Sequence, residues 1–154
     1  DGALIYNLLP QRWINRNPKI STVGRLDVDT TGSILLSDDG DLNHKLTSPR
    51  SNISKIYEVT LADPLKGDEA QIFASGDLVL RNEDKPCLPA TLTVINDKKI
   101  HLEIFEGKYH QVKRMLAAVG NKVEKLHRVS FAGISAEDLK EGEYKFISKD
   151  DIKF

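Results

Sequence analysis

The sequence predicts an α+β domain: a mixed, mostly antiparallel sheet with helices packed on one face, whose larger half is a split βαβ unit of the ferredoxin-like kind. Three observations carry this prediction. Apolar residues alternate with polar ones along segments beginning at residues 55, 90 and 100, the mark of half-buried strands. A helical spacing follows at Val112, Met115, Leu116 and Val119. With a further helix at 68–74 and a strand at 122–131, the order becomes β-α-β-β-α-β, which packs both helices on one sheet face. The other face is then expected to be free for a ligand.

The elements follow in chain order. Turn formers dominate the first 54 residues, which read as a helical stretch at 4–9 and a strand at 33–37. KIYEVTL at 55–61 places Tyr57, Val59 and Leu61 on one face of a strand. The helix at 68–74 is opened by Asp68 near its N-terminus. ATLTVI at 90–95 and IHLEIF at 100–105 flank Asn96-Asp97-Lys98-Lys99, which reads as a hairpin turn. Gly120-Asn121 closes the second helix as a left-handed cap would. One catalytic domain over 1–154 is expected, with a catalytic-loop part at 1–54 and the β-α-β-β-α-β part at 55–154.

Composition narrows the function classes. The 154 residues are enough to bury a core, and 40% hydrophobic with 29% charged residues is ordinary for a globular protein. The sequence holds no run of 18 apolar residues, so no membrane partner is expected. Cys87 is the single cysteine, which excludes an internal disulfide and suits a reducing, cytoplasmic setting. Net charge is −1, yet residues 105–128 hold six bases against two acids. Such a stripe is either a solvated helix face or a footprint for phosphates.

The stretch GRLDVDTTGSILLSDDG at 24–40 carries the densest chemistry. Counted from Asp27, the residues Asp27, Asp29, Thr31, Gly32, Ile34 and Asp38 fit a calcium-loop template. The surroundings do not: Asn17-Pro18 and Val23-Gly24 interrupt any incoming helix, and position 12 is Asp rather than Glu. No metal site is therefore expected. Asp29, followed by Thr30, Thr31 and Gly32, reads as a turn residue capping backbone amides. Asp27 reads as a nucleophile, since Arg25 and the basic helix near Lys113 and Arg114 can supply a fixed cation. Tyr57 offers an aromatic face for a base, or is simply a core tyrosine. His110 reads as a cap or solvent residue before it reads as a catalyst.

Taken together, four stretches resemble the RNA pseudouridine synthases, in their RsuA-type branch. They are GRLDVDTTGSILLSDDGDLNHKLTSPR (24–50), KIYEVTL (55–61), EGKYHQVKRMLAAVGNKVEKLHR (106–128) and EGEYKFIS (141–148). YHQVKRM points to enzymes of the small-subunit 16S ribosomal RNA rather than to large-subunit relatives. The resemblance implies the pseudouridine synthase fold and conversion of a uridine, position 516 of 16S RNA, to pseudouridine. It makes Asp27 the nucleophile, Tyr57 the tyrosine that stacks on the base, and Lys113 the basic partner of the aspartate, with Arg114 as an alternative. Leu126 matches the apolar pocket residue, and Arg25 the arginine that in some relatives enters the RNA helix. Thr31, Gly32, His110, Gln111 and Arg128 complete the substrate contacts it implies. No cofactor is implied, the partner is ribosomal RNA or an assembly intermediate containing it, and the chain acts as a monomer.

The family's small N-terminal RNA-binding domain and its NKPxG strand have no match, so the chain is expected to be an N-terminally truncated catalytic domain. A non-catalytic RNA-binding module on the same sheet is the rival reading. It requires exposed aromatic residues on the central strands. A large-subunit synthase is the other alternative.

Overall fold

The computed structural model describes residues 4–154. A 3-10 turn at Ile5–Leu8 leads into α1 (Gln11–Ile14), β1 (Ser21–Val23), β2 (Thr30–Gly32), β3 (Leu35–Ser37) and α2 (Gly40–Thr47). The second part runs β4 (Lys55–Leu61), α3 (Glu69–Ala74), β5 (Thr91–Asn96), β6 (Lys99–Ile104), α4 (Gln111–Ala118), β7 (Val123–Phe131) and β8 (Ile134–Ser135). The main sheet has the order β2-β7-β4-β6-β5, with β8 beside β7. Four of its strands, β7-β4-β6-β5, pair antiparallel in the ferredoxin-like order, and β2 joins β7 in parallel. β1 and β3 form a separate antiparallel pair.

Alternation explains the larger half. Val59 and Leu61 of β4, Ile100, Leu102 and Ile104 of β6, and Leu126 of β7 all turn to the helix side. There they meet Phe73 of α3 and Val112, Met115 and Leu116 of α4 in one core. Gly120 takes φ +81 just after α4, where a left-handed residue ends a helix with least strain. A smaller core of Val23, Leu46, Ile53, Phe131 and Ala132 lies under the first 54 residues and borrows the end of β7.

Several local features differ from the sequence reading. α1 and α2 replace what reads as turns; α2 is opened by Asp39, whose Oδ1 accepts from the Leu42 amide at 3.1 Å. Only Leu46 of α2 is buried, so an eight-residue helix leaves almost no periodic signal. The strand at 33–37 starts at Leu35, and β2 precedes it. Asp68 sits at the cap of α3 without a side-chain bond there. Glu69 does the work instead, accepting from the amides of Lys66 and Gly67 at 2.8 and 2.9 Å. Burial pushes its carboxyl up, and these donors outweigh burial and hold it below the usual range.

The face opposite the helices is polar and carries Glu58 in contact with both Lys99 and His101. The ligand-sized cleft opens elsewhere, on the helix side, between α4, the ends of β4 and β7, and the segment around residue 27. The expectation of a free opposite face is thereby corrected: the first 54 residues cover only part of the helix side and leave a gap there.

β2 sets one wall of that gap, and its seat needs a glycine. Gly32 has φ +118 and pairs with Arg128, and a Cβ at this position would collide with the Arg128 backbone. Gly32→Ala is expected to destabilise the protein by about 3 kcal/mol, a clash and a forbidden φ acting together. Urea denaturation with unchanged slope and a lower midpoint is the confirming result; a midpoint equal to the parent's contradicts this account of β2.

Candidate active site

Asp27 lies in the turn that enters β2, where the Thr30 amide donates to the Asp27 carbonyl at 2.9 Å. The strand that follows is pinned to β7 from both directions. The Ser33 amide donates to the Arg128 carbonyl, and Arg128 Nε donates to the Ser33 carbonyl, each at 2.9 Å. The turn therefore cannot shift without pulling β2 off the sheet, and it presents its carboxylates to the start of α4.

From α4, Lys113 reaches over both aspartates. Its Nζ stands 3.6 Å from Asp27 Oδ2 and donates to Asp29 Oδ1 and Oδ2 at 2.9 and 3.1 Å. The shorter bonds thus belong to Asp29, which is no backbone cap: its carboxylate is half of a carboxylate–ammonium–carboxylate bridge. The hydrogen bond from Lys113 holds the Asp29 carboxyl below its ordinary value, and the same bond raises Lys113 above its own. His110, at the cap of α4, approaches Asp27 from the other side, with Nε2 3.5 Å from Oδ1. It holds φ +48, makes no side-chain cap bond, and stacks on Tyr109 at 3.9 Å. Arg114 turns away. It pairs with Glu83 at 3.0 Å and donates to the carbonyls of Tyr109 and Arg81.

The cleft below these groups has a volume of about 820 Å³. Tyr57, Leu126 and Arg128 line it from the sheet; Arg25, Asp27 and Thr30 from the first part; His110, Gln111 and Lys113 from α4. Tyr57 pairs with Arg128 across β4 and β7, which is why both reach the same floor. Gln111 is buried and occupied in structure, bonded to the Lys108 amide and to Glu106. Thr31 does not face the cleft. As the residue between Thr30 and Gly32 it points through the sheet, to His127 Nδ1 at 2.7 Å, and His127 Nε2 meets Glu137 at 2.8 Å. Gly32 contributes its backbone approach rather than a contact.

Two cleft residues escape the sequence reading. Thr30 faces in where Thr31 does not, and register alone decides between them. Lys55 lies on the same face of β4 as Tyr57, an i, i+2 relation that the alternation could have exposed. Burial, then the like charge of Arg128, pushes the Lys55 amine down to about 8, against a weaker opposing pull from Glu106. Residues of the calcium-loop template diverge, since Asp38 pairs with Arg16 at 2.8 Å. Among the described residues no three His, Cys, Asp or Glu side chains converge as metal ligands, and no helix is long and apolar enough to cross a membrane.

Comparison with known proteins bears on this arrangement. The family model described as RNA pseudouridylate synthase matches residues 6–118. The chain is 50% identical, over 87% of its length, to the ribosomal small subunit pseudouridine synthase A of Pasteurella multocida strain Pm70. It is 48% identical to the protein of that name in Escherichia coli strain K12, again over 87% of its length. It spans 58% of each of these relatives. A solved structure titled "Crystal structure of pseudouridylate synthase" superposes with a TM-score of 0.88 at 44% identity, covering 96% of this chain and 63% of that one.

The bridge through Lys113 has a measurable signature. Asp29 is stabilised as a carboxylate in the folded chain, so its contribution to stability is present above the unfolded carboxyl pKa and lost as pH falls through the lower folded value. A carbon-13 titration is expected to place the Asp29 carboxyl below the usual aspartate range, and Lys113→Met to return it there. A titration unaltered by Lys113→Met counts against the bridge.

Proposed function

The chain belongs to the RNA pseudouridylate synthase family, and from that premise we propose that it converts a uridine of 16S ribosomal RNA, position 516, to pseudouridine. The observation that carries the proposal is the convergence of Asp27, Lys113 and Tyr57 on one cleft from a turn, a helix and a strand, 86 residues apart at the extremes. No local sequence effect brings them together. The relatives, named as ribosomal small subunit enzymes, suggest the small-subunit target.

The residues divide the labour as follows. The target nucleotide leaves its stack, at a cost of a few kcal/mol, and its uracil lies on the Tyr57 ring with Leu126 beside it. Arg25, exposed at the cleft, is placed to fill or brace the space the base has left. Asp27 attacks the nucleotide, and Lys113 and His110 orient its carboxylate from two sides. The uracil detaches at N1, turns, and rejoins the sugar through C5. One hydrogen moves from C5 to N1 overall, so no oxidant, reductant or energy source enters. Asp29 keeps Lys113 in position above the cleft. The substrate is RNA, free or within an assembling subunit, and the working unit is one chain.

The rival module reading lacks support on the sheet itself. The open face presents the Glu58, Lys99 and His101 cluster where base-stacking rings would be needed.

Release of tritium from C5-labelled uridine in 16S RNA tests the assignment. Asp27→Asn is expected to abolish release while RNA affinity stays within about three-fold, because one neutralised carboxylate removes chemistry and no phosphate contact. Lys113→Arg is expected to retain more activity than Lys113→Met, since the charge survives. Full activity in Asp27→Asn removes the nucleophile from the scheme.

A further inference from the structure

The floor of the cleft holds an imbalance that the chemistry at Asp27 does not use. Arg128 is 2% exposed, and its Nη2 has no hydrogen-bond partner among the described residues. Thr30 Oγ1, buried on the neighbouring strand and paired in register with Leu126, is likewise without a partner. Lys55 stands over the same Phe131 ring as Arg128, with Nζ 5.6 Å and Cζ 4.7 Å from its centroid. Neither cation has a carboxylate within ion-pair distance among the described residues. The nearest acid acting on Lys55, Glu106, is already engaged by Lys108 at 3.6 Å, the Leu88 amide and Gln111.

Buried charges are normally paired. Arg128 is such a charge, and Lys55, half-buried with its Nζ donating only to the Ile53 carbonyl at 3.2 Å, lines the same cleft; the two describe a site that lacks a negative ligand. The aromatic ring beneath them stabilises cations without neutralising them. A uracil carbonyl could accept from Nη2 but would leave both charges uncompensated. The anionic part of an RNA is its phosphate, and with Nε held by the Ser33 carbonyl it is the remaining Nη2 that can donate to a phosphate oxygen.

We propose that Arg128 and Lys55 form a phosphate-binding subsite at the cleft floor, which receives one backbone phosphate next to the target uridine. This rests on the reading of the chain as an RNA-modifying enzyme and adds to it how the flipped nucleotide is anchored. The phosphate, with its single negative charge, offsets one of the two cations and lies between them, and the base is thereby fixed over Tyr57, which lies beside Arg128 on the adjoining strand. Arg128 also holds the Ser33 carbonyl, so the group that grips the RNA is the same one that seats the strand carrying Asp27.

The test is a binding scan with the unaltered chain and short RNAs containing the target, each bearing one neutral methylphosphonate near the uridine. One flanking position is expected to weaken binding about ten-fold, the worth of a charged hydrogen-bonded contact. In Lys55→Met the same substitution is expected to cost little further, and the salt dependence of binding to fall by about one phosphate contact. Arg128 also supports the fold, so the RNA-side substitutions carry the test where an Arg128 variant does not fold.

A pH series adds an independent arm. The Lys55 amine, facing Arg128 and Glu106, sheds its proton near pH 8 in the free protein. Affinity for the unmodified RNA is expected to fall from pH 7 to 9, and Lys55→Arg to flatten that fall. Methylphosphonate effects that add fully to Lys55→Met at every flanking position overturn the proposal. Pseudouridine content of the wild-type reactions, read in parallel, separates failure of the isomerase reading from failure of the phosphate site.

Discussion

The cleft depends on one close approach, the backbone of Gly32 against the backbone of Arg128. A parallel edge strand of three residues has little pairing energy of its own. Here it is held because nothing but hydrogen occupies the Cα of Gly32, and because the Arg128 side chain folds back to the Ser33 carbonyl. That seat fixes the turn before it, and the turn carries both aspartates. On the far side of the sheet the Thr31–His127–Glu137 chain clamps the same strand. Two faces of one short strand are thus fixed by different chemistry, and the strand anchors the turn that carries Asp27.

The charges of the site are distributed by depth. At the rim, Lys113 has two carboxylates within ion-pair distance, and solvent screens all three. Such a bridge sets geometry more than stability. At the floor, Arg128 is buried and Lys55 half-buried, neither has a carboxylate within ion-pair distance among the described residues, and burial lowers the proton affinity of both. The overall charge of −1 conceals this separation. A near-neutral protein can meet a polyanion because its positive potential is concentrated where the low dielectric makes each charge count.

Much of this was legible in the sequence, and the exceptions have physical reasons. Period-two alternation marked β4 and β6 because one face is buried and the other wet, and the four apolar positions of α4 marked the helix that carries Lys113. α2 escaped because a surface helix with a single buried residue has no stripe to detect. Asp27 stood out through its motif, whereas the role of Asp29 did not: the bridge is made by Lys113, 84 residues away. Thr30 and Thr31 are indistinguishable by type, and only the register of β2 against β7 turns one into the cleft and the other through the sheet. Lys55 was the recoverable miss, since its strand face was already assigned through Tyr57.

The placement of the cleft on the helix side follows from what each sheet face can tolerate. On the open face Glu58 meets Lys99 and His101 in water, where a base would have to displace solvated polar groups to stack. On the helix side the apolar core stops short of the ends of β4 and β7, and the floor there is formed by Tyr57, Leu126, Phe131 and the stems of Lys55 and Arg128. A flipped nucleotide has an apolar face, a polar edge and a charged phosphate. The helix side offers a ring, a hydrocarbon wall and two unneutralised cations in close succession. The first 54 residues then bring the Asp27 carboxylate to that cleft. The added β2 segment lies outside the four ferredoxin-like strands, and its parallel pairing with β7 is the point at which the Asp27 turn joins the sheet beside Tyr57 and Arg128.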